Sequence, residues 1–189
     1  DLPLLFLAAV LPLEAQGTAA GPVKAAAGVV ADALQQDPKD PLRDLRETRL
    51  QNVKRLTSTG SNAEAYWSHD GKRIVFQSTR DGHPCDQLFT MNADGSDQRR
   101  ISTGTGRVTC GWFLPGDRKL LFASTHGEAA ACPEAPPFKP GTYLWAVFPG
   151  YDLYTVDLDG RNLKPFLPTP GYDAEATVAP NGKWLVFTS

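Results

Sequence analysis

The sequence has no surplus of positive charge and no apolar run of membrane-spanning length. Its 189 residues contain 19 lysines and arginines against 21 aspartates and glutamates, a formal net charge of −2. That balance, without runs of like charge, excludes a nucleic-acid-binding protein with a basic surface. No apolar run reaches the roughly 20 residues that cross a bilayer. Hydrophobic residues make up 41% of the chain and charged residues 21%, which excludes a wholly disordered protein.

The sequence also lacks the short motifs of several enzyme classes. It contains no G-x-S-x-G nucleophile elbow, no glycine-rich phosphate loop and no nucleophile–base pair at a recognisable spacing. Its three cysteines and three histidines show neither C-x-x-C nor H-x-x-x-H spacing. A zinc site built from His83, His126 and the cysteines is therefore unsupported by spacing. We expect no catalytic residue, no cofactor and no metal in these residues.

Glycine and proline, by contrast, are plentiful. The 17 glycines and 16 prolines amount to about 17% of the chain, against a typical level of roughly 12%. This surplus favours many turns and short strands over a helical bundle.

Residues 1–20 differ from everything that follows. Residues 2–13, LPLLFLAAVLPL, form an apolar run that small residues follow, as in the apolar and cleavage regions of a secretory signal peptide. A buried helix of the folded domain is the alternative, which Pro3 and Pro12 disfavour. We interpret residues 1–20 as a partial signal peptide. We therefore expect a periplasmic or secreted protein with no membrane span in the mature chain, in a compartment that permits disulfides.

Residues 21–49 are predicted to be a linker. Alanine, glycine, proline, glutamine and aspartate dominate its first part with little apolar periodicity, and one or two helical turns fit residues 25–34. Leu42, Leu45 and Leu50, set among mixed charges, favour a short surface helix leading into the domain.

Two hairpin patterns repeat along the rest of the chain. Residues 63–76, 109–122 and 174–187 each read as a strand, a tight polar turn and a second strand, with Asp-Gly or Asn-Gly in two of the turns. Residues 87–95 and 152–160 alternate apolar and polar residues into another Asp-Gly turn. The first pattern recurs after 46 residues and the second after 65, so the second unit carries a 19-residue insertion. Four antiparallel strands in a period of about 40–50 residues predict a β-propeller blade, and the fold class is all-β.

The repeat resembles a known family. Residues 67–82 follow W-S-x-D-G-K-x-I-x-F-x-S-x-R-D-G and residues 88–102 follow L-F-x-M-N-A-D-G-S-x-x-x-x-I-S, which is similar to the TolB-like propeller repeat. The second unit departs from it at residues 114–117, Leu-Pro-Gly-Asp. The resemblance covers residues 50–189. It implies four-stranded antiparallel blades, six in a complete ring, of which we expect about two and a half here.

The repeats also predict where each blade lies. We expect a closing strand at 52–57, a blade at 58–102, a blade at 103–167 with an insertion at 126–149, and half a blade at 172–189. A propeller ring closes when one terminus adds a strand to the blade made by the other, which removes an exposed edge. The three strands that 52–57 would join are not in the sequence, so we expect a fragment of a chain of about 350–450 residues.

Candidate binding residues follow from the ends of the strands. In a propeller, the loop entering each blade and the loop between its second and third strands share one face, here called the loop face; the Asp-Gly turns lie on the opposite face. Seven residues are predicted to form a partner-binding surface on the loop face: Glu64, Arg107, Tyr143, Trp145, Tyr172, Asp173 and Glu175. Glu64, Cys110 and Glu175 occupy one equivalent position near the mouth of the channel. The two carboxylates either face a common funnel as an acid–base pair or bond to a neighbouring blade's backbone or arginine.

Cysteines and the insertion leave alternatives open. Three cysteines in an exported protein predict one disulfide and one free thiol, with three pairings possible. Cys110 with Cys132 is favoured slightly over Cys85 with Cys110, and the sequence does not decide the pairing. The aromatic residues of the insertion either bind a partner or pack on the blade as a satellite core; they include Phe138, Tyr143, Trp145 and Phe148. His69 lies in a turn of the opposite face, where we expect it to be solvated.

Three functions remain for such a chain. We favour an exported, non-enzymatic scaffold that binds protein or cell-envelope partners through the loop face, since no catalytic constellation is visible. The alternative is the propeller domain of a prolyl-oligopeptidase-type serine hydrolase whose catalytic domain lies beyond Ser189. A propeller hydrolase with a channel metal is the third, and its inward His, Asp and Glu ligands are not evident.

Overall fold

The computed structural model describes residues 36–37, 40–137, 139–142 and 144–189. The partial signal peptide and the helical turns expected at 25–34 lie outside these residues. The chain divides into two compact units, Asp1–Arg55 and Leu56–Ser189.

The first unit contains a short hairpin in its described part. Strand β1, Gln36–Asp37, pairs antiparallel with β2, Asp40–Asp44. The surface helix expected around Leu42 and Leu45 is wrong, because these residues belong to β2 or to the turn after it. Asp37 and Asp40 each precede a proline, which disfavours helical backbone and favours an extended chain.

The second unit forms two four-stranded antiparallel sheets and one hairpin, and the all-β prediction is confirmed. Blade one consists of β3 (Ser61–Trp67), β4 (Arg73–Thr79), β5 (Gln87–Asn92) and β6 (Arg99–Arg100). Blade two consists of β7 (Val108–Phe113), β8 (Lys119–Ser124), β9 (Asp152–Asp157) and β10 (Lys164–Pro165). The half blade consists of β11 (Ala174–Val178) and β12 (Leu185–Thr188). Each sheet pairs its strands in chain order.

Residues 52–57, expected to be a closing strand, form no strand. A β-strand requires backbone partners on a neighbouring segment, and no described strand pairs with these residues. Leu56 instead packs its side chain on one face of blade one, against Ile74, Phe76 and Phe89, and its carbonyl accepts a hydrogen bond from Gln98 Nε2 at 2.9 Å.

The blades stack face to face, and β8 shows how. Side chains alternate between the two faces of a strand. Leu120 and Phe122 join a buried cluster that also contains Val75 and Leu88 of blade one. Leu121 and Ala123, on the opposite face of β8, join a second cluster with Ala174 and Ala176 of the half blade. β8 is therefore buried on both sides, which is why Leu120–Ala123 is a continuous apolar run rather than an alternating one.

One glycine permits the closest approach between blades one and two. A Cβ on Gly111 would lie 2.4 Å from Leu88 Cδ1 and 2.8 Å from Val75 Cγ2. A side chain there would push blade two away from blade one. Because glycine has no side chain, β7 can approach the neighbouring sheet closely at Gly111.

A polar contact also joins the blades, at the end opposite the loop face. The backbone N–H groups of His69 and Asp70 donate to Asp117 Oδ1 and Oδ2, both at 2.9 Å. The His69 ring Nδ1 lies 2.9 Å from the same Oδ1. The sequence predicted a solvated His69, whereas in the structure its backbone and ring both contact Asp117. Asp117 ends the Leu-Pro-Gly-Asp turn, so the departure of blade two from the repeat pattern creates this contact.

The disulfide joins two blades rather than closing within one. Cys85, in the loop between β4 and β5, is bonded to Cys132 in the insertion of blade two, with a Cα–Cα distance of 6.1 Å. Cys110 is the free thiol. The expected pairing of Cys110 with Cys132 is wrong, and so is its alternative, Cys85 with Cys110. The repeat places all three cysteines at one end of the blades, but it does not say how far each lies from the propeller axis. Cys110 lies on β7, the first strand of blade two, whereas Cys85 and Cys132 lie in loops.

Replacing Asp117 with asparagine is expected to lower the free energy of unfolding by about 1–2 kcal/mol at pH 7, because charge-assisted hydrogen bonds are lost. Burial opposes ionisation of Asp117, but the hydrogen bonds from His69 and Asp70 outweigh it and hold its pKa below the ordinary value. This stabilisation is present above about pH 4 and disappears as pH falls through the lowered pKa. Urea denaturation should show a smaller difference at pH 3 than at pH 7, because the stabilisation is being lost as the pH falls towards the lowered pKa.

Asp81→Asn is the matched control, because Asp81 is exposed and has a similar backbone φ, 55° against 53° for Asp117. Equal stability of the Asp117→Asn protein and the unaltered protein at pH 7 would contradict the assignment.

Peptide mapping without reduction should recover Cys85 and Cys132 in one linked pair, and Cys110 as a thiol. The disulfide spans 47 residues, so the chain-entropy model predicts that Cys132→Ala costs about 4 kcal/mol. Chemical denaturation measures this cost. Recovery of a peptide linked through Cys110 would show the pairing to be different.

Candidate functional site

The first strand of each of the three sheets, here called its inner strand, has the same break in its pairing register. The pairing of β3, β7 and β11 with the next strand shifts register after Ala63, Thr109 and Ala174. The residue following each of these has a left-handed backbone: φ is 49° at Glu64, 50° at Cys110 and 58° at Glu175. This is a β-bulge, which bends a strand and re-aims a side chain. The equivalence of Glu64, Cys110 and Glu175 therefore has a backbone cause.

The three bulges meet at a cavity of about 310 Å³, here called the inner-strand cavity. Its lining consists of bulge residues, the residues just after them and one residue of the insertion: Glu64, Tyr66, Cys110, Gly111, Trp112, Trp145, Glu175, Ala176 and Thr177. Both blades, the half blade and the insertion thus contribute to one recess.

Hydroxyl groups hold the two carboxylates of the cavity. Tyr66 donates to Glu64 Oε2 at 2.5 Å, and Thr188 donates to Glu175 Oε2 at 2.8 Å. Tyr172 lies 3.5 Å from Glu175 Oε1 and accepts from Trp145 Nε1, also at 3.5 Å. These bonds orient the carboxylates without neutralising them. Across the described part of residues 56–189, neither carboxylate takes part in an ion pair.

The pKa of Cys110 shows that the charges of Glu64 and Glu175 act on the same thiol. Burial raises the pKa of the Cys110 thiol to about 11, and the charges of Glu64 and Glu175 both contribute to the increase. Burial likewise raises the pKa of Tyr66, with its hydrogen bond to Glu64 adding to the effect. The cavity therefore has a negative potential.

Aromatic rings form the rest of the wall. The rings of Tyr66 and Trp112 lie 5.2 Å apart at an angle of 58°. The Nε1 atom of Trp112 is buried, with no hydrogen-bond partner in the described structure. Trp145 keeps 41% of its surface exposed, so it forms an accessible edge of the cavity.

The seven candidate residues fall into different places. Glu64, Trp145 and Glu175 line the cavity, and Tyr172 lies behind Trp145 and Glu175. Arg107 instead pairs with Asp86 at 3.4 Å and connects the loops of the two blades. Tyr143 lies outside the described residues.

Asp173 is fully buried and does not line the cavity. Its Oδ2 accepts a hydrogen bond from the Thr169 backbone N–H at 3.3 Å, which holds the turn before the half blade. Its charge also adds to the effect of burial in raising the pKa of Asp152. The contacts of Asp173 are therefore those of a residue that shapes the backbone.

Of the aromatic residues in the insertion, one packs on the blade and another lines the cavity. Phe148 packs against Tyr151, with ring centroids 6.1 Å apart, as part of the core between blade two and the half blade. Trp145 lines the cavity instead. Phe138 lies outside the described residues.

Tyr66 and Trp112 were not among the candidate residues that the sequence offered, yet both line the cavity. Tyr66 does pack against the first core cluster. The available signal is positional: each residue stands two places after a bulge residue in its repeat, where the strand has turned towards the cavity.

No group of three or more histidine, cysteine, aspartate or glutamate side chains is placed to hold a metal ion within the described residues. Within the same residues there is no helix with the length and apolar character needed to cross a membrane.

Comparison with solved structures gives the fold. A TolB-type protein from Agrobacterium tumefaciens superposes with a TM-score of 0.50 at 21% identity, over 70% of this chain and 39% of that one. TolB from Acinetobacter baumannii superposes with a TM-score of 0.51 at 19% identity, over 70% of this chain and 28% of that one. The fold is that of a TolB-like β-propeller. The TolB-like blades expected from the repeat are thus confirmed, and ring closure is not part of what the structure shows.

The sequence relatives also include a TolB protein, but the matched regions are a small part of each relative's length. The Tol-Pal system protein TolB of Geobacter sulfurreducens is 38% identical over 55 residues, 29% of this chain and 12% of that protein. The uncharacterised peptidase YuxL of Bacillus subtilis is 22% identical over 138 residues, 65% of this chain and 21% of that protein. This TolB-like chain therefore spans about a fifth or less of these relatives. No family model matches the sequence.

The reactivity of Cys110 tests how close the two carboxylates are. Alkylation by iodoacetamide should keep accelerating with pH through pH 10, because the pKa of Cys110 is about 11, whereas an ordinary thiol levels off above about 8.5. Replacing both Glu64 and Glu175 with glutamine should shift the profile to lower pH, because two charges that oppose the thiolate are gone.

Glu134→Gln, at an exposed position outside the cavity, should leave the alkylation profile unchanged. A profile that levels off near pH 8.5 in the unaltered protein would contradict the assigned environment of Cys110.

Proposed function

We propose that this chain is part of an exported, non-enzymatic β-propeller scaffold that binds protein or cell-envelope partners through its loop face. The observation that carries the proposal is the inner-strand cavity, where two carboxylates and three aromatic side chains converge on a recess that Trp145 leaves accessible. Tryptophan and tyrosine in such positions dominate the energy of protein interfaces. The Tol-Pal name of one relative is consistent with an envelope partner.

The chemistry of the site supports binding more than catalysis. Tyr66 and Thr188 donate to the carboxylates of Glu64 and Glu175, and the Cys110 thiol has a raised pKa. An activated nucleophile needs a lowered pKa or an adjacent base, and the environment of Cys110 acts in the opposite direction.

Export is supported by the disulfide between Cys85 and Cys132. Disulfides persist in oxidising compartments and are rare in the cytosol. Together with the signal-peptide-like residues 2–13, this favours a periplasmic or secreted protein.

A second function has a specific observation in its favour. The 138-residue match to a protein named as a peptidase fits the propeller domain of a prolyl-oligopeptidase-type serine hydrolase, whose catalytic domain would lie beyond these residues. A fluorophosphonate probe that labels the full-length protein would favour this function over the scaffold.

Immobilised protein should capture a partner from cell-envelope extract, and Trp145→Ala should weaken capture by about thirtyfold, the effect of removing an interface hot spot worth roughly 2 kcal/mol. Trp184→Ala is the matched control, because Trp184 is 74% exposed and belongs to the opposite end of the half blade. Tyr143→Ala extends the test to the second aromatic residue predicted in the insertion.

The comparison between the two tryptophans decides the outcome. Capture that is unchanged by Trp145→Ala, or reduced equally by both substitutions, would argue against binding at the loop face.

A further inference from the structure

The inner-strand cavity holds two negative charges that no described cation of residues 56–189 neutralises. Among the described residues, Glu64 and Glu175 accept hydrogen bonds from hydroxyl groups only, and the ion pairs involve other carboxylates. Two like charges that act on the same thiol repel each other. A positive group placed between them would relieve this repulsion and gain two charge-assisted hydrogen bonds.

The walls beside the carboxylates suit a delocalised cation. Tyr66, Trp112 and Trp145 present aromatic rings to the cavity, and the negative face of such a ring attracts an ammonium or guanidinium group within about 6 Å of its centre. Guanidinium has the further advantage of a planar shape that stacks on an aromatic ring while its N–H groups reach carboxylate oxygens in a fork.

This chain already contains one such contact elsewhere. The Arg80 guanidinium lies over the rings of Phe76 and Phe89, 5.0 and 5.1 Å from their centroids. Two aromatic rings of blade one thus already hold a guanidinium over their faces. The inner-strand cavity combines the same type of surface with two carboxylates.

The composition of the cavity disfavours a bare metal ion and an anion, and its size disfavours a folded element of a partner. Glu64, Glu175 and the Cys110 thiol line the same cavity, but within the described residues they form no group placed to hold a metal ion, so a bare divalent cation would lack ligands. An anion would be repelled by both carboxylates. A volume of about 310 Å³ admits a side chain or a small molecule and is too small for a folded element of a partner.

We propose that the inner-strand cavity binds an arginine side chain presented by a protein partner, with Glu64 and Glu175 contacting the guanidinium and Tyr66, Trp112 and Trp145 enclosing it. This inference rests on the proposed function and adds the chemical identity of the group that the loop face recognises. The partner is therefore a protein that exposes arginine on a flexible or protruding segment.

The test uses a blocked peptide, acetyl-Gly-Gly-Arg-Gly-Gly-amide, and the same peptide with citrulline, the uncharged analogue of arginine. Tryptophan fluorescence follows binding in a protein carrying Trp67→Phe and Trp184→Phe. Trp67 and Trp184 are both exposed and do not line the cavity, so the remaining tryptophans, Trp112 and Trp145, report from its wall.

The arginine peptide should give a saturable change and bind at least about tenfold more tightly than the citrulline peptide, the factor expected from a charge-assisted contact. Glu64→Gln and Glu175→Gln should each weaken binding of the arginine peptide by about tenfold and leave citrulline binding unchanged. Raising the salt concentration from 50 to 500 mM should weaken arginine binding further, because the cavity is accessible to ions.

Glu134→Gln is the matched control, as it removes one loop-face carboxylate outside the cavity and should leave arginine binding unchanged. Glutamine has the shape of glutamate and the same preference against a left-handed backbone, so both substitutions should preserve the bulges. Should a variant fail to fold, the comparison of arginine with citrulline on the unmutated cavity decides the question alone.

Equal binding of the two peptides, absence of saturable binding, or arginine binding that survives both glutamine substitutions would overturn the proposal. The proposed function fails separately. If partner capture is lost with Trp145→Ala but is unaffected by the glutamine substitutions, the loop face binds its partner without recognising arginine. If the arginine peptide binds as expected while Trp145→Ala leaves capture intact, the cavity recognises arginine but the partner docks elsewhere.

Discussion

The structure depends on apolar packing between the flat faces of successive sheets. Blade two illustrates it, because Leu120 and Phe122 face one neighbour while Leu121 and Ala123 face the other. Each fully buried leucine or phenylalanine contributes about 1.5–3 kcal/mol. Disulfide, inter-blade hydrogen bonds and cavity all follow from the stacking that this packing enforces.

Stacking repeated sheets makes a local feature recur in space. A β-bulge in one inner strand would only re-aim one side chain. Because β3, β7 and β11 are equivalent strands of stacked sheets, their bulges bring Glu64, Cys110 and Glu175 to a shared cavity. The left-handed backbone at three residues that are not glycine is unfavourable by itself, and the surrounding sheets hold it. The repeat therefore supplies a rigid frame, and the identity of the bulge residues sets the chemistry of the recess.

The loop face adds what the repeat does not supply. The 19-residue insertion brings Trp145 to the cavity and Phe148 to the core, and its Cys132 is fastened to Cys85 in the adjacent blade. A long loop tied to a neighbouring sheet loses less entropy when it binds a partner than a free one. At the other end, Asp117 ties the turns of the two blades together. Blades one and two are thus joined at the loop face by a disulfide and at the opposite face by hydrogen bonds to Asp117. The residues that make these bonds are not part of the repeat pattern.

Sequence alone was sufficient for the all-β class, the four-stranded blades and the equivalence of Glu64, Cys110 and Glu175, because alternation and Asp-Gly turns act over a few residues and recur at a constant spacing. It did not predict the Cys85–Cys132 bond, the contact between Asp117 and His69, the roles of Arg107 and Asp173, or the place of Tyr66 and Trp112 in the cavity. Each of these depends on how far a residue lies from the axis and which neighbouring sheet faces it. Those distances are set by the packing of one sheet on the next, which brings together residues that a local pattern cannot relate.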